Sequence, residues 1–362
     1  MRVFFRVIII FALLCTSCWN KNKNTVSGTD KLVDNNIPVV DYNIPVDNNI
    51  PIVENIVLND LNWKNIDINK INTNGGYWGV AYGDNKWVAV GSGIKNKLVY
   101  SYDCENWVEV DISDIFRGGV LMSVAYGNKK WITCNDYTMA YSTDVENWTR
   151  IRDAEFGNKY NRIIYNDNKW IAYKDGYGEG KLVYSYDGEN WVEVNILDIF
   201  EFGIKCMTYG DGKWIAVGYG GAMAYYPDKI AYSTDVENWT EINITIFERY
   251  EQYINCIAYG NGVWLIGGND SIMAYSTDGI NWIEVSATAF GGHDIMDIIW
   301  GNDRWVAVGF RLVAYSSDGK NWVADNNIAF SDIRAVAYGD KNWVKVGTDR
   351  SYDGRIGYAR DK

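Results

Sequence analysis

Ser-x-Asp followed closely by Trp recurs along the chain at nearly even spacing, and this repetition constrains the fold more than any other feature. Ser101, Ser142 and Ser185 open copies with Asp103, Asp144 and Asp187 that lead to Trp107, Trp148 and Trp191. Ser233, Ser276 and Ser316 open copies with Asp235, Asp278 and Asp318 that lead to Trp239, Trp282 and Trp322. The steps between these tryptophans are 41, 43, 48, 43 and 40 residues, a period that suits a four-stranded propeller blade. A second motif precedes each copy: an aromatic residue, a short polar turn, then Trp and small apolar residues. It pairs Tyr82 with Trp87, Tyr126 with Trp131, Tyr165 with Trp170 and Tyr209 with Trp214. It continues with Tyr259 and Trp264, Trp300 and Trp305, and Tyr338 and Trp343, which makes seven copies.

The segments between the Gly/Asn/Asp turns are rich in Val, Ile, Tyr and Trp, the chemistry of strand, turn and strand. No helical period of useful length interrupts them. Each unit therefore supplies four strands, except the seventh, whose third strand ends at Asp361. Its fourth strand has a counterpart at the other end of the chain, Asn62 to Asp67. Residues 61–362 are thus expected to form an all-β, seven-bladed propeller of four-stranded antiparallel blades. The N-terminal strand completes the last blade and leaves no open sheet edge at the seam. An open β-solenoid is the alternative, and the orphan strand speaks against it.

Ser-x-Asp-Gly-x-Asn-Trp resembles the Asp-box, or BNR, repeat of the sialidase-like propeller superfamily. The copies are one residue shorter between Asp and Trp than the usual box, and Cys104, Val145 and Val236 stand where Gly is usual. The resemblance implies a folding device on the blade rim, and the chemistry agrees. A tight hairpin leaves turn N–H groups unpaired, and Ser and Asp side chains accept from them. Asp103, Asp144, Asp187, Asp235, Asp278 and Asp318 are accordingly read as structural. A sialidase-type hydrolase would add an arginine cluster for a carboxylate and a Tyr nucleophile with carboxylate partners. No arginine falls at a position that matches that family, so no catalytic residue is carried over.

Residues 1–18 read as a lipoprotein-type signal. Arg2 and Arg6 precede an apolar run from Val7 to Leu14, too short to span a membrane as a mature helix. Leu14 to Cys18 resembles a loose bacterial lipobox with Cys18 as the lipidated residue. Cys15 is the rival site, and plain secretion is the alternative. Residues 19–60 are Asn-rich and carry Pro38, Pro45 and Pro51, three of the four prolines; they read as a tether. The expected location is the cell envelope, anchored by lipid on the periplasmic side or the outer surface. A formal charge of −12 argues against nucleic-acid partners. Cys104, Cys134, Cys206 and Cys256 follow no metal pattern. They are read as small buried thiols, with a Cys206–Cys256 disulfide as the alternative. With His293 the only histidine, no metal and no cofactor are expected, and the chain is read as a monomer.

Two of the four turns in each unit are short and uniform, and the other two vary. Binding residues collect on variable loops held by a rigid scaffold, so the variable face around the channel is the expected site. A phenylalanine recurs there as Phe116, Phe156, Phe200, Phe247, Phe290 and Phe330, and is read as a wedge between blades. The non-repeating candidates for binding are Arg117, Arg162, Arg249, Tyr250, His293, Arg311 and Arg334, with Glu201, Asp297 and Asp332 beside them. The expected function is a binding module for a protein or glycan partner. An assembly or scaffold factor for an envelope complex is the second reading, and a sialidase-type hydrolase the third.

Overall fold

The computed structural model describes residues 61–66, 75–93, 97–116, 118–151, 160–175, 180–219, 228–244, 253–286, 288–325 and 330–361. The signal and tether, including Cys18, lie outside the described residues, as do Arg117, Arg249, Tyr250, Phe156 and Phe247.

The described chain forms seven four-stranded sheets, each an antiparallel meander. The first blade shows the pattern, with strands Tyr77–Gly83, Lys86–Gly91, Lys97–Ser101 and Trp107–Glu109. The first strand of every blade lines a central channel. These innermost strands pack each on the next, and the last, Asp332–Gly339, packs on the first, Tyr77–Gly83. The ring is therefore closed. In the last blade Lys64–Asn65 takes the outer place against Gly354–Arg360, with Lys64 opposite Tyr358. Trp63 anchors this segment: its Nε1–H donates to the Tyr315 hydroxyl at 2.8 Å, which donates in turn to Asp325 at 2.6 Å.

The Tyr-Gly and Trp motif has a packing cause. The aromatic near the end of each innermost strand, Tyr in six blades and Trp300 in the sixth, is directly opposite the Trp of the second strand, as in Tyr126 and Trp131. Their rings stack tilted, with centroids 4.8 Å apart. The Gly that follows makes room for the next blade: a Cβ on Gly127 would stand 2.0 Å from the Tyr165 ring. Gly83, Gly210, Gly260, Gly301 and Gly339 meet the aromatic of the following blade in the same way. Trp87, Trp131, Trp170, Trp214, Trp264, Trp305 and Trp343 are fully buried and fill the blades. Phe116, Phe200, Phe290 and Phe330 are buried in clusters that join one blade to the next, so they act as wedges.

The Ser-x-Asp turns close the outer hairpins. In the second blade, Asp144 Oδ1 accepts the N–H groups of Glu146 at 2.9 Å and Asn147 at 2.7 Å. The Ser142 hydroxyl donates to the same oxygen at 3.0 Å and accepts from Val145 N–H at 2.9 Å. Trp148 Nε1–H donates to the Val145 carbonyl at 2.8 Å. Hydrogen bonds from the Asn147 side chain and backbone hold the Asp144 carboxyl down to about 2. The residue after the Asp is left-handed in every copy, at φ 67 in Cys104, 70 in Val145 and 80 in Val236. That conformation costs a side chain about 1–2 kcal/mol. In these copies the side chain is wholly buried, and burial offsets the strain. The four cysteines of the propeller are free thiols.

Candidate functional site

The channel site is built by an irregularity of the innermost strands. In five blades the pairing with the second strand skips one residue. The skipped residues are Trp78, Lys205, Asn255, Met296 and Arg334, each four positions before the aromatic that ends its strand. Such β-bulges leave a residue out of the ladder and re-aim its side chain. All five line a cavity of about 930 Å³ that occupies the channel. They sit where the innermost strands begin, the end that carries the variable loops.

Some polar residues here stitch the blades together. The Ser123 hydroxyl donates to the Ile163 carbonyl at 3.1 Å and accepts from Ile163 N–H at 3.2 Å. Asn255 Nδ2 donates to the Ile295 carbonyl at 3.1 Å. Asp297 accepts Ile298 N–H at 2.9 Å with one oxygen and Val336 N–H at 2.9 Å with the other. Burial pushes the Asp297 carboxyl up to about 7, against the pull of those two N–H groups. In these residues the polar groups serve neighbouring backbone.

The cations differ, because each is held by a carboxylate and faces the cavity. Arg162 donates from Nε at 3.0 Å and Nη2 at 2.6 Å, both to Asp175 Oδ2. Tyr219 donates to the other Asp175 oxygen at 3.2 Å. Lys205 pairs with Asp228 at 2.8 Å, and its Nζ lies 4.6 Å from the Tyr219 ring centre and 4.9 Å from that of Tyr253. Asp228 also accepts Ile254 N–H at 2.6 Å, and burial raises its carboxyl above the ordinary range despite Lys205. Across the channel, Arg334 donates from Nε at 3.0 Å and Nη2 at 2.6 Å to Asp332 Oδ2. Its guanidinium stacks 4.9 Å from a Trp78 ring centre, and Trp78 Nε1–H is fixed by the Ser92 hydroxyl at 3.2 Å. The site therefore has two walls, one on the third to fifth blades and one on the seventh and first.

Of the candidates read from the sequence, Arg162 and Arg334 belong to these walls, with Asp297 beside them. His293 and Arg311 do not line the cavity. The His293 ring meets Phe310 edge-on at 6.1 Å, and the Arg311 guanidinium lies 5.6 Å from the same ring. Trp78, Asp175, Lys205, Tyr219, Asp228 and Tyr253 were not singled out. One signal marks the bulge residues: Trp78, Lys205, Asn255, Met296 and Arg334 all occupy one fixed offset before the strand-end aromatic and share no chemistry. Among the described residues, no three His, Cys, Asp or Glu side chains are placed to hold a metal ion.

No protein-family model matches the sequence, and no curated protein does either. Solved structures are similar in fold. YCF48 from Cyanidioschyzon merolae aligns with a TM-score of 0.63 at 16% identity, over 82% of this chain and 98% of its own. YCF48 bound to D1 peptide gives 0.65 at 14%, over 83% and 97%. A catalytically inactive virginiamycin B lyase from Staphylococcus aureus, with quinupristin, gives 0.64 at 10%, over 83% and 100%. The likeness is one of fold: the chain shares the seven-bladed architecture of these propellers.

Proposed function

We propose that this chain is an interaction module that seats a segment of a partner protein at the bulged mouth of its channel. The observation that carries this reading is the separation of repeat from non-repeat. The repeating residues build turns, blades and wedges, whereas the cationic and aromatic residues that vary from blade to blade gather at one mouth, held in fixed geometry by carboxylates. Rigid presentation of polar groups beside an aromatic surface lowers the ordering cost of binding. Among proteins of similar fold, YCF48 is known bound to a D1 peptide, which supports a protein partner for a propeller of this shape. A glycan is the other partner read from the sequence.

The Ser-x-Asp turns fit the Asp-box repeat in their chemistry, and we read the chain as a distant relative of those propellers. We further propose lipidation at Cys18, with residues 19–60 tethering the propeller at the cell envelope. An assembly role for an envelope complex is the natural use of such a module.

The test is affinity purification of the full chain from detergent-solubilised membranes, compared with a mouth variant that keeps its charge balance. Arg162→Gln with Asp175→Asn, and Arg334→Gln with Asp332→Asn, form that variant. One stoichiometric partner lost by the variant at unchanged melting temperature is the expected result. A partner retained by the variant moves the binding face elsewhere.

A further inference from the structure

The cations of the mouth are charge-balanced, yet their hydrogen-bonding capacity is not. Arg162, Lys205 and Arg334 each face one carboxylate, at 2.6, 2.8 and 2.6 Å. An anionic ligand would therefore find little uncompensated positive charge, and it would approach a chain of net charge −12. The inventory of donors points another way. A guanidinium has five N–H groups, and each arginine spends only Nε and one Nη2 hydrogen on its carboxylate. The rest have no hydrogen-bond partner among the described residues.

The carboxylates that line the cavity each already accept hydrogen bonds. Asp175 receives Arg162 and Tyr219. Asp228 receives Lys205 and Ile254 N–H. Asp297 receives two backbone N–H groups. The arginines thus keep spare donors while their charge is compensated. Trp78, Met122 and Met296 line the same cavity, so apolar surface lies beside the donors. Neutral acceptors spaced along an apolar ligand complement that pattern, and an extended peptide carries both.

We propose, resting on the binding role given above to the mouth, that it recognises main-chain carbonyls of an extended, uncharged segment of the partner. The spare N–H groups of Arg162 and Arg334 take the carbonyls, and Trp78 and the two methionines take apolar side chains. Acidic side chains of the partner are not what the arginines read.

The experiment is selection from a phage-displayed random peptide library on the full chain in detergent, with the charge-balanced mouth variant as counter-screen. Individual peptides are then synthesised and their affinities measured at ~50 and ~500 mM salt, a range over which exposed charge attraction is strongly screened. The expected pool has no enrichment in Asp or Glu. Its members bind the variant at least about tenfold more weakly, and their affinity changes less than about twofold with salt. Replacing one contacting amide by an ester weakens its carbonyl as an acceptor and should lower affinity roughly two- to tenfold. An acidic consensus with salt-sensitive affinity overturns the carbonyl assignment and leaves the mouth as the binding face. A pool that binds the variant equally well, or no pool above the counter-screen, overturns the binding face itself.

Discussion

Lys345 lies wholly buried in the second strand of the last blade, where the N-terminal segment docks. Its Nζ is 4.3 Å from the Trp63 ring centre and 5.1 Å from that of Phe330. It has no hydrogen-bond partner among the described residues. Burial pulls its pKa from 10.5 down to about 7, with Asp325 acting in the opposite sense. At ~1.4 kcal/mol per pH unit, that drop sets a ceiling of roughly 5 kcal/mol on the cost of the buried charge. The facing rings return about 1–2 kcal/mol, leaving about 3 kcal/mol. Below pH 7 the folded and unfolded chains both carry the proton, and the full cost stands. Between pH 7 and about 10 only the unfolded chain carries it, so stability climbs with pH. Lys345→Met keeps the apolar stem against Trp63 and removes the charge. Urea unfolding followed by circular dichroism should show the variant more stable by about 3 kcal/mol at pH 6, with the gap closing toward pH 9. A variant less stable than wild type at pH 6, or a gap constant with pH, would refute the reasoning.

The repeat elements give further expectations. Asp144→Ala strips the acceptor from two backbone N–H groups and should cost about 1–3 kcal/mol, read as a fall in urea midpoint. Gly127→Ala drives a methyl into the Tyr165 ring and should cost about 1–3 kcal/mol. Asn166 stands exposed at the equivalent place in the third blade, so Asn166→Gly should leave the midpoint nearly unchanged. The Asp144 and Asp235 carboxyls are held down to about 2 by their Asn partners. The stability they contribute should be complete above ~4 and lost as pH falls from there toward 2. An Asp144→Asn, Asp235→Asn double variant should flatten that acid limb.

The architecture was legible because its causes are local and repeated. A strand-end aromatic and an opposed Trp each do one packing job per blade, joined by a Ser-x-Asp turn in six of the seven, so their spacing gives the blade count directly. The site was legible only in part, because bulges break the period that makes strands readable. Trp78, Lys205 and Arg334 fall in runs where strict alternation would face them away from the position they take. Of these only Arg334 stood out, as a non-repeating residue at a strand start. Asp175, Tyr219 and Asp228 come from connections of unequal length, and no spacing rule brings them to Arg162 and Lys205. His293 and Arg311 were chosen by chemistry and loop position alone. The structure turns both toward the exposed Phe310, and neither lines the cavity.

Hydrogen–deuterium exchange on the full chain, free and bound to the partner captured from membranes, tests the role of the channel mouth most directly. Protection is predicted at the starts of the innermost strands, around residues 77–79, 161–163, 204–206 and 332–334, and in the loops carrying Asp175 and Asp228. The Ser-x-Asp turns at the opposite end should exchange at the same rate in both states. Protection confined to those turns, or to the outer strands, would contradict the assignment of the mouth as the binding face.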